Sequence, residues 1–460
     1  MRSALTSGRR PGYDRSLMSD YHIDTVLRVR TQHRPGQLAR LANAVAEAGA
    51  LIGEIVTLRR EGDLSVRDIT IETDDEAQTE AVIAALRATE GCEVLEVTDR
   101  VFDRHRGGKI HSTSRLEIEH LSDLRYIYTP GVARVATAIS KDPSRAFELT
   151  GLGNSVGIFT NGTRVLGLGD IGPVAALPVM EGKAVLYDRF VGISATPILV
   201  DTKDPKEFVE TVLRISRSFG AIHLEDIRIP ECFYIEAELD RLLDKPVMHD
   251  DQHGTATVAL AGIMNACRLV GMQLKSARMG QVGLGAAGSS IAKLALAYGV
   301  GEVLVTDPNA QAVQSVLVKG GKASDFATIM READIVVLTT GKAGLLKPEM
   351  IRKGQVIFAL SNPHPEITPA QARAAGAAFA ADGQSVNNAL AYPGIFKGAL
   401  DVRARSITPE MMIAAAEAIA DHAVHGEVVP SPLLPEVHAA VVRAVSERAR
   451  AQSLAGTMRL

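Results

Sequence analysis

The chain of 460 residues has no tryptophan, 4% aromatic residues and only three cysteines. Cys92, Cys232 and Cys267 lie far apart and form no CxxC pair, which argues against a disulfide framework and against a zinc site. No apolar run approaches the roughly 20 residues that a membrane helix needs. A location in the reducing cytoplasm is therefore expected.

An excess of charge of one sign is also lacking, since the net charge is −4 and the pI is about 6.3. Without a basic stripe, neither nucleic acid nor a membrane surface is an expected partner. Residues 1–20 are basic and rich in serine and glycine, but they have no apolar core of a secretory signal. We expect them to form a disordered leader.

Residues 21–102 predict a small α+β unit. The alternating "IDTVLRVRT" predicts a strand and "GQLARLANAVAEAG" a helix, and the pattern continues to a last strand, "CEVLEVTDRVF". The predicted order, βαββαβ, is ferredoxin-like. With the turn "HRPGQLARL", this segment resembles an ACT domain, a regulatory module that pairs and binds amino acids. Such domains often carry an acidic residue where this chain has His33. A small-molecule effector at this module and a pairing module without a ligand therefore stay open as alternatives.

Beyond a charged linker that begins at residue 103, apolar strands alternate with helices to about residue 405. Near-continuous apolar strands between helices predict parallel sheets covered on both faces, an α/β fold. Residues 406–460 predict two helices with proline-marked starts. The strands are predicted at "SVGIFTN", "RVLGLGD", "AIHLEDI", "MGQVGLG", "GEVLVTD", "ADIVVLTT" and "QVIFALS".

A G-x-G-x-x-G loop at residues 283–288 follows a predicted strand and opens a helix. Asp307 ends the next strand, where it suits an adenosine ribose diol and repels a 2′-phosphate, so NAD is favoured over NADP. The helix N-terminus stabilises a diphosphate. The predicted cofactor-binding residues of this Rossmann domain are Gly283, Gly285, Ala286, Ala287, Gly288 and Asp307.

Two pairs of acids follow apolar strands, Glu225 with Asp226 and Asp250 with Asp251. Because ligands bind at the carboxyl ends of strands in open α/β sheets, four carboxylates meeting there would need a cation. Oxygen ligands suit Mg²⁺ or Mn²⁺ rather than zinc. The alternative is that these acids are solvated, or that one of the aspartates caps a helix starting near Thr255.

Two histidines, His249 and His253, flank the aspartate pair with a spacing of four residues. Gly254 argues against a helix that contains both histidines, because glycine weakens helices. We therefore interpret both histidines as supporting residues rather than metal ligands.

Eight motifs, all found in order between about residues 115 and 425, make this part of the chain resemble a bacterial malic enzyme. The resemblance implies oxidative decarboxylation of (S)-malate to pyruvate and CO₂ with NAD and Mg²⁺ or Mn²⁺. It also implies a substrate and metal domain at 103–253, a Rossmann NAD-binding domain at 254–405, and a homodimer or higher homo-oligomer. The motifs are "YTPGVA", "RVLGLGDIGP", "PVMEGKAVLYDRFVGI", "LEDI", "HDDQHGTA", "GLGAAG", "SNP" and "VNNALAYPGIF".

The resemblance assigns three catalytic roles. Lys183 is the expected general base for the malate 2-hydroxyl, with a pKa lowered by burial beside the metal. Tyr128 is the expected donor of a proton to C3 of enolpyruvate, although Tyr126 is a close neighbour of the same type. Asp250 is expected to support the base.

The resemblance also assigns binding roles. Arg164 is expected to hold a substrate carboxylate, a bidentate task suited to guanidinium. Asn362 and Asn388 are expected near malate and the nicotinamide, Asn362 touching both. The implied metal ligands are Glu225, Asp226 and Asp251.

Two other readings stay open. A malolactic-type or oxaloacetate decarboxylase could use the same scaffold, and net production of NADH from malate separates these activities. A protein of another class, a non-catalytic ACT-bearing regulatory or binding protein, would be expected to lose some of Lys183, Tyr128, the acids and the glycine loop, all of which are present.

Overall fold

The computed structural model describes residues 23–424 and 426–459. The chain divides into two compact units between Lys109 and Ile110. The predicted leader at residues 1–20 lies outside the described residues. Among the helices of the described ranges, none is long and apolar enough to cross a membrane.

The first unit is an antiparallel sheet with two helices on one face. Its strand order is β2-β3-β1-β4, and alternate residues of β1, among them Leu27 and Val29, are buried. The order of strands and helices agrees with the predicted βαββαβ. The last strand is shorter than predicted, because the Asp99 carboxylate accepts hydrogen bonds from two following amides and starts a helix. The elements are β1 Ile23–Gln32, α1 Gln37–Glu47, β2 Leu51–Glu61, β3 Leu64–Thr73, α2 Glu76–Ala88, β4 Cys92–Asp99 and α3 Arg100–His105.

The second unit begins with a four-stranded parallel sheet of order β6-β5-β7-β8. The strands predicted at "SVGIFTN" and "AIHLEDI" are confirmed as β5 and β7. The strand predicted at "RVLGLGD" is wrong: this segment is a loop closed by a bridge between Val165 and Gly169, with Leu166 at φ 48°. The elements are α4 Leu121–Ile127, α5 Val132–Lys141, α6 Ala146–Leu149, β5 Ser155–Thr160, α7 Pro173–Val191, β6 Ser194–Leu199, α8 Pro205–Ile215, β7 Ala221–Leu224, α9 Glu231–Leu242 and β8 Val247–His249.

A six-stranded parallel sheet of order β11-β10-β9-β12-β13-β14 follows. In chain order this is 3-2-1-4-5-6, which confirms the predicted Rossmann fold and places the glycine loop after β9, where the strand order reverses. The elements are α10 Asp250–Val270, β9 Arg278–Val282, α11 Ala286–Tyr298, β10 Glu302–Thr306, α12 Ala310–Leu317, β11 Lys322–Ala323, α13 Phe326–Glu332, β12 Ile335–Leu338, β13 Val356–Ala359, α14 Pro369–Ala374, β14 Phe379–Asp382, α15 Tyr392–Asp401, α16 Pro409–Asp421 and α17 Pro435–Ala451.

Short 3₁₀ helices complete the second unit. They lie at Pro143–Arg145, Gly151–Asn154, Ser216–Ser218, Leu274–Ser276, Pro348–Met350, Gly383–Ser385 and Asn388–Leu390.

Helix α10 joins the two parallel sheets and is buried along most of its length. It starts at Asp250 directly after β8 and passes through Gly254, so the helix start expected near Thr255 is wrong. Asp250 and Asp251 occupy the first turn, where the positive end of the helix dipole favours negative charge. Both aspartates are therefore part of the helix rather than residues that precede it.

Candidate active site

Four carboxylates converge at one edge of the four-stranded sheet. Glu225 and Asp226 follow β7, and Asp250 and Asp251 follow its neighbour β8. Because the two strands are parallel and paired, their carboxyl ends meet at the same edge. Glu225, Asp226 and Asp250 are each 3% exposed or less. The predicted cluster of acids is therefore formed, in a nearly dry environment.

Three of these acids make a set of oxygen donors. Ligand oxygens of Glu225, Asp226 and Asp251 all lie within 4.8 Å of one another. Burial, together with the neighbouring carboxylates of Glu225 and Asp251, raises the pKa of Asp226 to about 8. Its Oδ2 is buried and has no hydrogen-bond partner among the described residues, and its backbone has a strained φ of 54°. A hard divalent cation would relieve both the repulsion and the unpaired oxygen, so these residues fit Mg²⁺ or Mn²⁺.

A second donor set, His223 with Glu225 and Asp250, is equally compact, but the Lys183 ammonium already lies against two of its carboxylates. Lys183 Nζ lies 3.1 Å from Glu225 Oε1 and forms an ion pair with Asp250 Oδ2. A divalent ion placed beside this ammonium would be repelled by it. The Glu225–Asp226–Asp251 set is therefore the better candidate for a metal.

Helix α7 delivers Lys183 to the cluster. The helix buries Met180, Ala184 and Tyr187 on one face, and Lys183 stands beside that face. Burial lowers the pKa of Lys183, but the carboxylates of Asp250 and Glu225 outweigh it and raise the pKa well above its ordinary value. The lowered pKa expected for Lys183 refers to a lysine beside a bound metal, and it stays a prediction.

Three residues determine the position of the Asp250 carboxylate: Lys183, Asn388 and Gly254. Burial raises its pKa to about 6 against the pull of Lys183. The Asn388 side-chain amide donates to Asp250 Oδ2 at 2.7 Å, which places Asn388 beside this carboxylate. A Cβ at Gly254 would lie 1.8 Å from Asp250 Oδ1, so only glycine leaves room for this carboxylate. Gly254, which weakens the helix in the sequence-based expectation, thus leaves the space that the Asp250 carboxylate occupies.

Behind the carboxylates lies a buried polar chain that the sequence reasoning missed. Tyr187 Oη lies 2.9 Å from His223 Nδ1, and His223 Nε2 lies 2.6 Å from Glu225 Oε2. The available signal was spacing, because His223 stands two residues before Glu225. Tyr392, part of a quoted motif but given no role, places its ring centroid 4.7 Å from Lys183 Nζ.

The two flanking histidines behave differently. His249 is fully buried, and neither ring nitrogen has a hydrogen-bond partner among the described residues; its Nδ1 is 3.9 Å from Asp251 Oδ2. His253 Nε2 lies 3.1 Å from Glu236 Oε2 and ties α10 to α9.

Three predicted site residues stand outside the buried cluster. Arg164 is exposed, but its backbone amide donates to Asp226 O at 3.0 Å, which fixes its loop beside the acids. Asn362 is exposed after β13, and its amide lies against Gly383. Tyr128 is 69% exposed, and no hydrogen bond or ion pair of the described residues joins its side chain to Lys183. The structure does not bring Tyr128 into this cluster.

The glycine loop has the geometry of a dinucleotide cradle. Gly283 has φ 88°, and a Cβ at Gly288 would lie 2.1 Å from Gly283 O, so both positions require glycine. Helix α11 begins at Ala286 and Ala287 with Gly285 as its N-cap, which leaves its first amides available to an anion. Asp307 Oδ2 accepts from Leu284 N at 2.7 Å, which places this acid against the loop. Gly285 and Asp307 line a cavity of about 970 Å³.

Family models match three parts of the chain. Residues 108–240 match the malic enzyme N-terminal domain, and residues 368–452 match the malic enzyme NAD-binding domain. Residues 250–345 match the NAD-binding domain of D-isomer-specific 2-hydroxyacid dehydrogenases.

Relatives of similar length extend this match. The chain is 49% identical over 430 residues to NAD-dependent malic enzyme 1 of Bacillus subtilis, covering 93% of this chain and 98% of that protein. It belongs to the malic enzyme family. The predicted class, an NAD-dependent decarboxylating malate dehydrogenase, is thereby confirmed. The bifunctional malic/malolactic enzyme of B. subtilis is 43% identical over 369 residues, 74% of this chain and 90% of that one.

Solved structures of malic enzymes share the fold. The malic enzyme of Pyrococcus horikoshii superposes with a TM-score of 0.73 at 38% identity, over 78% of this chain and 92% of that one. The NAD-dependent malic enzyme of Thermotoga maritima superposes with a TM-score of 0.71 at 37% identity, over 76% and 99%. The malic enzyme α/β architecture predicted for the second unit is thus confirmed.

Proposed function

We propose that this malic enzyme converts (S)-malate to pyruvate and CO₂ with reduction of NAD, and that Glu225, Asp226 and Asp251 hold the Mg²⁺ or Mn²⁺ that the reaction uses. The observation that carries the proposal is the meeting of a buried, unpaired Asp226 oxygen with the Lys183–Asp250 pair at one sheet edge. When bound, the cation withdraws electrons from the substrate oxygens and the nicotinamide accepts the hydride.

Lys183 and Asp250 form the base as a pair. A cation held by Glu225 and Asp226 would lower the pKa of Lys183 and so oppose the two carboxylates that raise it. Asp250, whose pKa of about 6 is raised by burial, can then take the lysine proton along their hydrogen bond. Lys183 in turn accepts the proton of the malate 2-hydroxyl. Asn388 keeps Asp250 aligned during the transfer.

Substrate contacts come from the exposed side of the cluster. The Arg164 guanidinium, on the loop anchored to Asp226, would bind a malate carboxylate. Asn362 and Asn388 would contact malate, and Asn362 the nicotinamide as well. In the glycine loop, Asp307 would accept hydrogen bonds from the adenosine ribose and repel a 2′-phosphate, which favours NAD over NADP.

Residues 21–102 would serve as an ACT regulatory domain that binds a small-molecule effector such as an amino acid. The antiparallel sheet of order β2-β3-β1-β4 supports this. Its edge strand β2 exposes Leu51, Ile55 and Leu58, which suits pairing with another copy.

The rest of the chain would form three parts. Residues 103–253 would be the substrate and metal domain, residues 254–405 the NAD-binding domain, and residues 406–460 the C-terminal helices. All three cysteines are unpaired, which supports the cytoplasm as location.

A homo-oligomer, at least a dimer, would complete the site. Residues 116–132, which we name the apolar arm, carry exposed side chains that include Leu121 at 84%, Tyr126 at 76% and Tyr128 at 69%. Such a run of exposed apolar groups marks an interaction surface. Docked on a second copy, the arm would bring Tyr128 to that copy's Lys183 to protonate C3 of enolpyruvate.

The test is malate-dependent NADH formation with and without Mn²⁺, repeated with NADP and with a panel of amino acids and acyl-CoA compounds. We expect NADH and pyruvate to form in equal amounts, only with Mn²⁺, and faster with NAD than with NADP. Lactate without net NADH would instead support the malolactic activity that the bifunctional relative's name describes.

Asp251→Asn tests the metal assignment. The variant should lose Mn²⁺ binding by at least about tenfold and lose malate oxidation, while its NAD affinity stays unchanged. Asp188→Asn, at an exposed acid of α7, is the matched control and should behave as the parent. Full turnover by Asp251→Asn in Mn²⁺ would contradict the assignment.

A further inference from the structure

His223 has no role in the proton transfers described above, yet it is fully buried and doubly hydrogen-bonded. It lies on β7, two residues before Glu225, and contacts that carboxylate through Nε2 at 2.6 Å. The other carboxylate oxygen, Oε1, lies 3.1 Å from Lys183 Nζ. The imidazole therefore determines the rotation of the Glu225 carboxylate between the lysine and the metal site.

Glu225 determines which imidazole nitrogen carries the proton, and Tyr187 pairs with the other nitrogen. The Tyr187 hydroxyl lies 2.9 Å from His223 Nδ1, and the neutral imidazole has one donor and one acceptor nitrogen. When Glu225 is ionised to hold a cation it can only accept, so Nε2 must then donate to it and Nδ1 must accept from Tyr187. The two contacts together select a single tautomer.

Aromatic packing holds the ring in this orientation. The His223 ring stacks on Phe396 with centroids 5.6 Å apart and meets Tyr392 edge-on at 5.3 Å. Tyr187 packs edge-on at 5.8 Å. With three aromatic neighbours, the imidazole cannot rotate without disturbing the core under the site.

We propose that His223 is a positioning residue that orients Glu225 toward the divalent cation, with Tyr187 holding the imidazole through Nδ1. The inference rests on the proposed function, since it concerns the same metal site. Partners of this kind, one contact removed from the metal, orient its ligands and raise its affinity typically 10- to 100-fold.

The test is Mn²⁺ affinity measured by the paramagnetic resonance signal of free Mn²⁺, without malate or NAD. His223→Leu should raise the Kd for Mn²⁺ by about 10- to 100-fold. His223→Gln, which keeps an N–H donor for Glu225 and an acceptor for Tyr187, should stay within about threefold of the parent. Tyr187→Phe should fall between them, because Nδ1 of His223 loses its hydrogen-bond partner and the imidazole is held less firmly. Tyr234→Phe, at a half-exposed tyrosine of α9, is the matched control.

NAD affinity and the melting temperature report whether each variant is folded. An unchanged Kd for Mn²⁺ in a folded His223→Leu overturns the inference, as does a His223→Gln variant as weak as His223→Leu. If His223→Leu does not fold, a parental Kd in Tyr187→Phe overturns it equally. A parent that neither binds Mn²⁺ nor oxidises malate contradicts the proposed function instead.

Discussion

Gly254 shows how a single missing side chain positions a reacting group. A Cβ there would lie 1.8 Å from Asp250 Oδ1, so Gly254→Ala must displace the carboxylate that pairs with Lys183. We expect kcat for malate oxidation to fall by about 100-fold, because a shift of about 1 Å in such a group costs that much. The free energy of unfolding should change little, because the gain of about 0.5–1 kcal/mol from alanine over glycine in a helix offsets the cost of moving the carboxylate. Steady-state kinetics and urea unfolding measure the two effects.

Gly262→Ala in the same helix is the matched control. There a Cβ would meet the Phe358 ring at 3.3 Å, away from the carboxylates, so kcat should stay near that of the parent. Equal kcat for both glycine variants would show that malate oxidation does not need the Asp250 carboxylate in the position that Gly254 allows.

The residues of the site were predictable where their chemistry is local. The two acid pairs could be placed at strand ends from the sequence, and the structure brings them together. The direction of the Lys183 pKa shift could not be predicted from the sequence, because it depends on two carboxylates that only the fold brings near the ammonium. His223 was missed for the same reason, since its partner Tyr187 lies 36 residues away.

At the scale of elements, the His253–Glu236 pair joins α10 to α9 at 3.1 Å. Burial opposes protonation of His253, but the Glu236 carboxylate outweighs it and raises the histidine pKa above 6.5. Burial likewise opposes ionisation of Glu236, but His253 outweighs it and holds the pKa of Glu236 below 4.5. The histidine's contribution is complete below pH 6.5 and lost as pH rises through its folded-state pKa. The glutamate's contribution is complete above pH 4.5 and lost as pH falls.

His253→Gln should therefore cost the most free energy of unfolding between about pH 4.5 and 6.5, on the order of 1–2 kcal/mol for a charge-assisted hydrogen bond. The cost should shrink toward pH 8, as followed by urea unfolding at several pH values. His438→Gln is a control of opposite sign, because burial lowers the pKa of His438 and its neutral form is the stable one. A cost for His253→Gln that does not change with pH would contradict the ion pair.

Strands and helices with one dominant pattern were predicted well, and the failures have a common cause. Four strands of the Rossmann sheet, β9, β10, β12 and β13, are short apolar runs that were found where predicted, whereas β11 and β14 were not predicted. The loop at 164–170 also alternates apolar and small residues, but Leu166 and Gly169 take positive φ and turn the chain beside Asp226. A strand pattern with two glycines could not be separated from a loop, because the deciding contact, between the Arg164 amide and Asp226 O, is non-local.

At the scale of the whole molecule, the apolar arm is the feature that the sequence could not show. Only the fold shows that Leu121, Tyr126 and Tyr128 stay exposed. The same exposure separates Tyr128 from Lys183, although the family resemblance assigns both to one reaction. Placing Tyr128 on a neighbouring copy satisfies the exposure and the chemistry together.

Mixed oligomers test this placement. Tyr128→Phe and Lys183→Ala should each lose activity by at least about 100-fold, because each removes a proton-transfer group. If Tyr128 serves the other copy, a doubly tagged hetero-oligomer of the two variants contains one intact site per pair and should recover about half of the parent's activity. Asp251→Asn combined with Lys183→Ala should recover nothing, since both residues belong to one copy's site. A Tyr128→Phe and Lys183→Ala hetero-oligomer that stays inactive would return Tyr128 to its own chain and require the arm to fold back.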